Sequence, residues 1–416
     1  MFKNRLDEVV TFYLSRLFFS LASRPSLRLK IGLMAASTFA YVLGIIFLTD
    51  EDRGYLTTFL YSSYMVVGIS FLGSNTLLAY FGRGPYRERL ALATTIVLPG
   101  LLCGLVIGVS GLAAIYFLPA DGAKFGLYLL LFGIFVSVSV LGAVIFAAKA
   151  SSAPHRIFWQ HYSYITALLV GMVAMLITSR VTLLQFVLVY ILSSVPFLFF
   201  SWSAVTKQML AARVGTERKV IDRRESRRLF VGTFASNMLL RAVGVLVALV
   251  YGPAYLGQYV VLWLAFEAVG QLYGYYLLSD VYLVGSKEPG ERRRALSHRL
   301  RVVIFIGIPV VIIVGLAVGL VAPLLSNYAG GDLATTLILL TAHYSLRLIL
   351  GLLLNFLRAT GQILQATKIE VFNTFTAIVL VTWLPSVLGF PGVAAGLLFG
   401  TLLASAWVGR KVYGVR

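Results

Sequence analysis

An arginine, Arg241, stands inside the apolar stretch SNMLLRAVGVLVALV (residues 236–250), and no acidic residue in that stretch can neutralise it. A charge at the centre of a membrane helix costs about 2.5–3.5 kcal/mol, so it normally faces a partner or a water-filled cavity. A guanidinium stays cationic when dry, and its planar fork matches the oxygens of a diphosphate. Asn237 lies one turn away on the same face. Two further runs carry polar residues at every fourth position: Glu267, Gln271, Tyr275 and Ser279, with Gly270 and Gly274 beside them, and His343, Arg347, Gly351 and Asn355. Such stripes have no use toward lipid. They line a cavity or knit helices together, and both readings stand for the stripe through Arg347; His343 alone reads first as a packing residue rather than a proton relay.

Arg241 lies roughly 16 Å from the cytoplasmic end of its segment, and Glu267 roughly 14 Å from the outer end of the next, at about 1.5 Å per residue. Similar depth on consecutive helices leaves two alternatives. The pair neutralises itself and fixes packing, or Arg241 faces a central cavity and holds an anionic headgroup, with Glu267 as its partner until substrate arrives. The first half of the chain has no deep charge and offers hydroxyls and Asn75 instead. Arg24, Arg28 and Lys30 cluster where the first apolar run begins, either as snorkelling anchors or as a reception point for a headgroup.

The elements that must carry these residues are membrane helices. The chain has 416 residues, 59% hydrophobic and 12% charged, with mean hydropathy +0.89; soluble domains carry about 25% charged residues. Apolar runs of roughly 20 residues, enough to cross a hydrocarbon core about 30 Å thick, recur from end to end. Short alternating segments of the barrel type are absent from the sequence. Twelve spans are expected, near 29–48, 56–80, 90–118, 122–147, 157–178, 183–203, 230–250, 258–284, 301–326, 333–356, 366–388 and 391–410. The N-terminus shows no cleavable signal pattern and suits a short interfacial helix.

The net charge of +19 lies between the apolar runs rather than on one soluble face, which argues against nucleic acid as partner. Of 35 Lys and Arg, only Arg53, Lys124 and Arg180 fall on one side, and Arg241 and Arg347 fall within spans; all the others sit on the opposite side. The positive-inside tendency then places both termini in the cytoplasm. The basic connection around 205–229 divides the chain into lobes 1–204 and 230–416 and can also touch anionic lipid. A lone Cys103 excludes an internal disulfide and a multi-cysteine metal site, and no cofactor is called for.

The halves echo each other at an offset of about 204 to 210 residues. Gly54-Tyr55 matches Gly257-Gln258-Tyr259, Ser74-Asn75 matches Ser279-Asp280, Pro85 falls opposite Pro289, and Pro99 opposite Pro309. An even number of spans per repeat gives both halves the same orientation. The expected fold is therefore an all-α integral membrane protein of two six-helix bundles, related by a pseudo-two-fold axis along the membrane normal. The segment LTDEDRGYLTTFLYSSYMVVG and the tail LNFLRATGQILQATKIEVFNTFTAIVLVTWLPSVLGFPGVAAGLLFGTLLAS resemble bacterial polysaccharide and O-antigen flippases, in the multidrug, oligosaccharidyl-lipid and polysaccharide exporter superfamily.

That resemblance implies a bacterial inner-membrane transporter that moves an undecaprenyl-diphosphate-linked oligosaccharide outward by alternating access. It implies membrane lipids as neighbours, with a polysaccharide polymerase and assembly proteins as partners. No Walker motif is present to couple ATP, which leaves an H⁺ or Na⁺ gradient or downhill substrate flux. The alternative is a multidrug and toxin exporter exchanging organic cations for Na⁺ or H⁺. Such a pump needs carboxylates in its cavity; here Glu267, Asp280 and Glu370 stand against Arg241 and Arg347, a balance better suited to an anion.

Overall fold

The computed structural model describes residues 46–70, 86–117, 120–149, 167–175, 182–193, 241–285, 289–326 and 330–413, with a few isolated positions between. Among them every regular element is helical. The main elements are α1 (Asp50–Ser70), α2 (Tyr86–Phe117), α3 (Ala120–Lys149), α4 (Leu183–Ser193), α5 (Arg241–Tyr251), α6 (Pro253–Gly285), α7 (Pro289–Val302), α8 (Ile308–Leu325), α9 (Gly330–Ala359), α10 (Ile363–Leu388) and α11 (Gly392–Tyr413). Four continuous stretches among the described residues are long and apolar enough to cross a membrane: Arg294–Leu325, Asp332–Arg358, Ile363–Leu388 and Gly392–Val412. The protein is a multi-pass membrane protein. Its described helices fall into two compact units, one within Gly32–Val245 and one within Leu246–Arg416.

In the first unit, local chemistry fixes where helices begin. Thr49 accepts a hydrogen bond from the Asp52 amide at 3.2 Å and caps α1. Arg53, buried, pairs with Asp50 at 2.7 Å, so the acidic first turn of α1 neutralises its own cation. Thr182 and Gln185 exchange hydrogen bonds at 3.0 and 3.3 Å, a reciprocal cap that starts α4. The α2–α3 hairpin is a seam of glycines. A Cβ at Gly133 would lie 2.5 Å from the Gly104 oxygen, and one at Gly111 would lie 2.4 Å from the Leu130 nitrogen. Backbones can meet this closely only where side chains are missing, and van der Waals packing of this kind holds membrane helices together. Phe59 of α1 then packs edge-on to Phe132 of α3, with ring centroids 5.4 Å apart.

In the second unit, Gly252 breaks the chain at φ 93° and Pro253 opens α6. Aromatic residues gather at this end: Tyr255 and Tyr259 pack on Phe390, and the Tyr328 hydroxyl donates to the Gln258 carbonyl at 2.8 Å. At the opposite end, α9 stops where Gly361 takes φ 83°. The Gln362 amide bonds to the Leu357 carbonyl and the Gly361 amide to the Arg358 carbonyl, closing the last turn. Gly392, Gly396 and Gly400 then lay α11 against Pro385, Val381 and Ala377 of α10.

One expectation changes here. The ninth apolar run was expected from about residue 301, but the helix begins at Pro289 and is continuous as far as Leu325. The basic segment is helical because Leu296 and Val302 are buried and give it an inner face. Its junction with α8 is a π turn over Val303–Gly307, in which the Ile308 amide bonds back to the Val303 carbonyl.

Candidate functional site

The polar residues of the second unit converge on the contact between α6 and α9. Phe266 of α6 stacks on Tyr344 of α9, with centroids 5.3 Å apart and planes inclined by 15°. Gly270 leaves room for the same ring: a Cβ there would sit 3.7 Å from it. Gly315 of α8 closes the third side, in tight contact with Thr341 and Phe266. Around this apolar joint the charges are arranged. Glu267 follows Phe266 on α6, and Arg347 lies one turn beyond Tyr344 on α9. The Arg347 guanidinium carbon is 5.8 Å from the Tyr344 ring centroid, within cation–π reach. Glu267 and Arg347 are each half-buried. The π turn abuts the same place, since Gly307 lies against Tyr273 of α6 and Leu348 of α9. Such turns are frequent at functional sites.

The stripe on α9 divides by role. His343 is fully buried, with Nδ1 3.1 Å from the Thr401 hydroxyl of α11. Asn355 is buried at the other end and accepts from Arg358 at 3.0 Å, and Arg358 also pairs with Glu370 of α10. Arg347, between them, is the accessible member. Of the carboxylates weighed in the sequence, Glu370 has a cation in direct contact.

Arg241 lies in the first unit on α5, half-buried, ten residues or roughly 15 Å from Tyr251 at the end of the helix. Glu267 belongs to the second unit. Gln271 and Tyr275 lie on α6, and their side chains are outside the described residues, as are Asn237, Asn75, Arg24, Arg28 and Lys30 altogether. Sequence reasoning passed over Tyr344. Its signal was position: it follows His343 and stands three residues before Arg347 on an apolar helix. The Arg358–Glu370 pair was also legible as two opposite charges flanking the Gly361 turn.

No family model and no curated protein matches this chain. Solved structures do. A multidrug resistance MATE family transporter of the MOP superfamily, in its inward-facing conformation, matches with TM-score 0.61 and 15% identity over 92% of this chain and 95% of its own. A MOP superfamily transporter from Pyrococcus furiosus, with a binding pocket of reverse polarity, matches at 0.59 and 14% over 93% and 95%. The lipid II flippase MurJ, inward closed, matches at 0.59 and 12% over 92% and 86%. The chain has the fold of the MOP superfamily transporters, exporters and lipid-linked flippases alike.

Proposed function

We propose that the protein is a flippase. It carries an undecaprenyl-diphosphate-linked oligosaccharide from the cytoplasmic to the outer leaflet of a bacterial inner membrane by alternating access, using twelve spans in two lobes with both termini cytoplasmic. The observation that carries this reading is the charge on the apolar helices. Among the described residues, the charged groups on the apolar helices include the guanidinium groups of Arg241 and Arg347, while Glu267 follows Phe266, the ring stacked on Tyr344, and Glu370 is held by Arg358. An excess of fixed cations favours a diphosphate and disfavours an organic cation. Arg241 and Arg347 hold the headgroup, Asn237, Gln271, Tyr275 and Asn75 supply neutral contacts to sugar or phosphate, Arg24, Arg28 and Lys30 receive the headgroup, and the prenyl chain stays in lipid. Transport is driven by an H⁺ or Na⁺ gradient or by consumption of substrate on the far side, where a polymerase and assembly proteins would act.

The test uses cells lacking the protein and fed radiolabelled sugar. Lipid-linked oligosaccharide accumulating on the cytoplasmic leaflet, cleared by the wild-type chain but not by Arg241→Ala, supports the flippase and the site. Loss of tolerance to cationic drugs without such accumulation would instead identify the multidrug exporter, the reading that the shared fold equally admits.

A further inference from the structure

The helical run from α7 to α8 carries a second cationic feature, away from the α6–α9 joint. On α7, Arg294, His298 and Arg301 recur at i, i+4 and i+7 and are exposed, while Leu296 and Val302 are buried. At 100° per residue the three exposed residues share one side, with Leu296 opposite. Glu291 is the one acidic residue of the helix. The exposed side continues as apolar residues: Phe305 within the π turn, 53% exposed, then Leu316 and Leu320 of α8 at 67% and 79%. One face therefore passes from guanidinium groups to an exposed ring within about a turn of helix, and to bare aliphatic surface farther along. An aliphatic face left this exposed is stable only against hydrocarbon. Arg301 lies about 6 Å from Phe305 along the axis and Arg294 about 16 Å, at 1.5 Å per residue. Arg301 therefore falls within the headgroup layer, which adds roughly 5–8 Å on each side of the hydrocarbon core, and Arg294 lies on its aqueous side.

We propose that this face of α7 is a binding site for anionic phospholipid headgroups on the membrane side that carries most of the protein's cations. Arg294 and Arg301 hold the phosphates and the α8 stripe holds the acyl chains. Clusters of Lys and Arg at a helix end are suited to anionic lipid, and each cation contributes to attraction at the surface. The π turn links the site to the α6–α9 joint, because Gly307 at its end touches Tyr273 and Leu348. The site is independent of what the protein transports.

The experiment counts lipids retained on purified full-length protein by native mass spectrometry after exposure to phosphatidylglycerol or phosphatidylethanolamine. The double variant Arg294→Gln, Arg301→Gln is expected to bind phosphatidylglycerol about tenfold more weakly, with phosphatidylethanolamine unchanged. Arg410→Gln with Lys411→Gln removes the same charge from the end of α11 and is expected to leave retention intact. Both variants alter exposed side chains, and an unchanged melting temperature confirms that they fold. Wild-type retention in the α7 variant, or equal loss in the α11 variant, overturns the proposal. So does displacement of the phospholipid by equimolar undecaprenyl phosphate, which would make the face a station for a prenyl carrier instead.

Discussion

Side chains on these helices divide by what they touch. His343 is sealed between α9 and α11 and bonded to Thr401, which makes it a packing residue first. Arg358 and Glu370 join two helices across one turn, with the Glu370 side chain only 4% exposed. Removing Arg358 would leave a buried carboxylate without its partner, a loss typically worth about 3–5 kcal/mol. Arg358→Ala is accordingly expected to lower the melting temperature in detergent by several degrees. The pairing of Arg358→Leu with Glu370→Leu should restore most of it. Arg347 has a different environment, half-buried and beside the Tyr344 ring. Arg347→Gln should leave folding intact and reduce transport, a split measurable as normal thermal stability with a lower initial rate.

Glycine patterns set how closely the elements approach. On α11 the spacing of Gly392, Gly396 and Gly400 brings one face against α10, and a Cβ at Gly392 would stand 2.4 Å from the Pro385 nitrogen. On α2 and α3 the contact is backbone to backbone at Gly104, Gly111 and Gly133. Gly133→Val is expected to cost about 1–3 kcal/mol or more, as overpacking does, and to abolish a stable hairpin. The same change at Gly409, where nothing lies within 4 Å, should be silent in the same thermal assay. The sequence announced these glycines as a loose motif in the tail, and hydropathy placed the helices that carry them. The extension of α7 was hidden because its five arginines and low apolar content read as a loop. Its helical state rests on the burial of Leu296 and Val302 against neighbouring helices, which no single segment reveals. Tyr344 was passed over for a related reason. An aromatic residue on an apolar helix becomes part of a site only when another helix packs on it, as α6 does through Phe266.

At the scale of the whole molecule, the fold is shared by multidrug exporters and a lipid-linked flippase, so architecture leaves the cargo open, and the proposal of a phosphorylated headgroup rests on the charges of the helices. Fixed guanidinium groups at membrane depth suit a phosphorylated headgroup, and they suit it at any physiological pH because arginine does not release its proton. The most direct measurement is flipping by purified protein in sealed vesicles. A fluorescent undecaprenyl-diphosphate oligosaccharide is loaded into both leaflets, and protection from a membrane-impermeant quencher is followed with time. The account predicts that wild-type protein makes the protected pool accessible, that Arg241→Lys does so more slowly, and that Arg241→Ala does not. Wild-type rates from both variants, or no movement of the lipid by the wild-type chain in vesicles where it extrudes an organic cation, would contradict it.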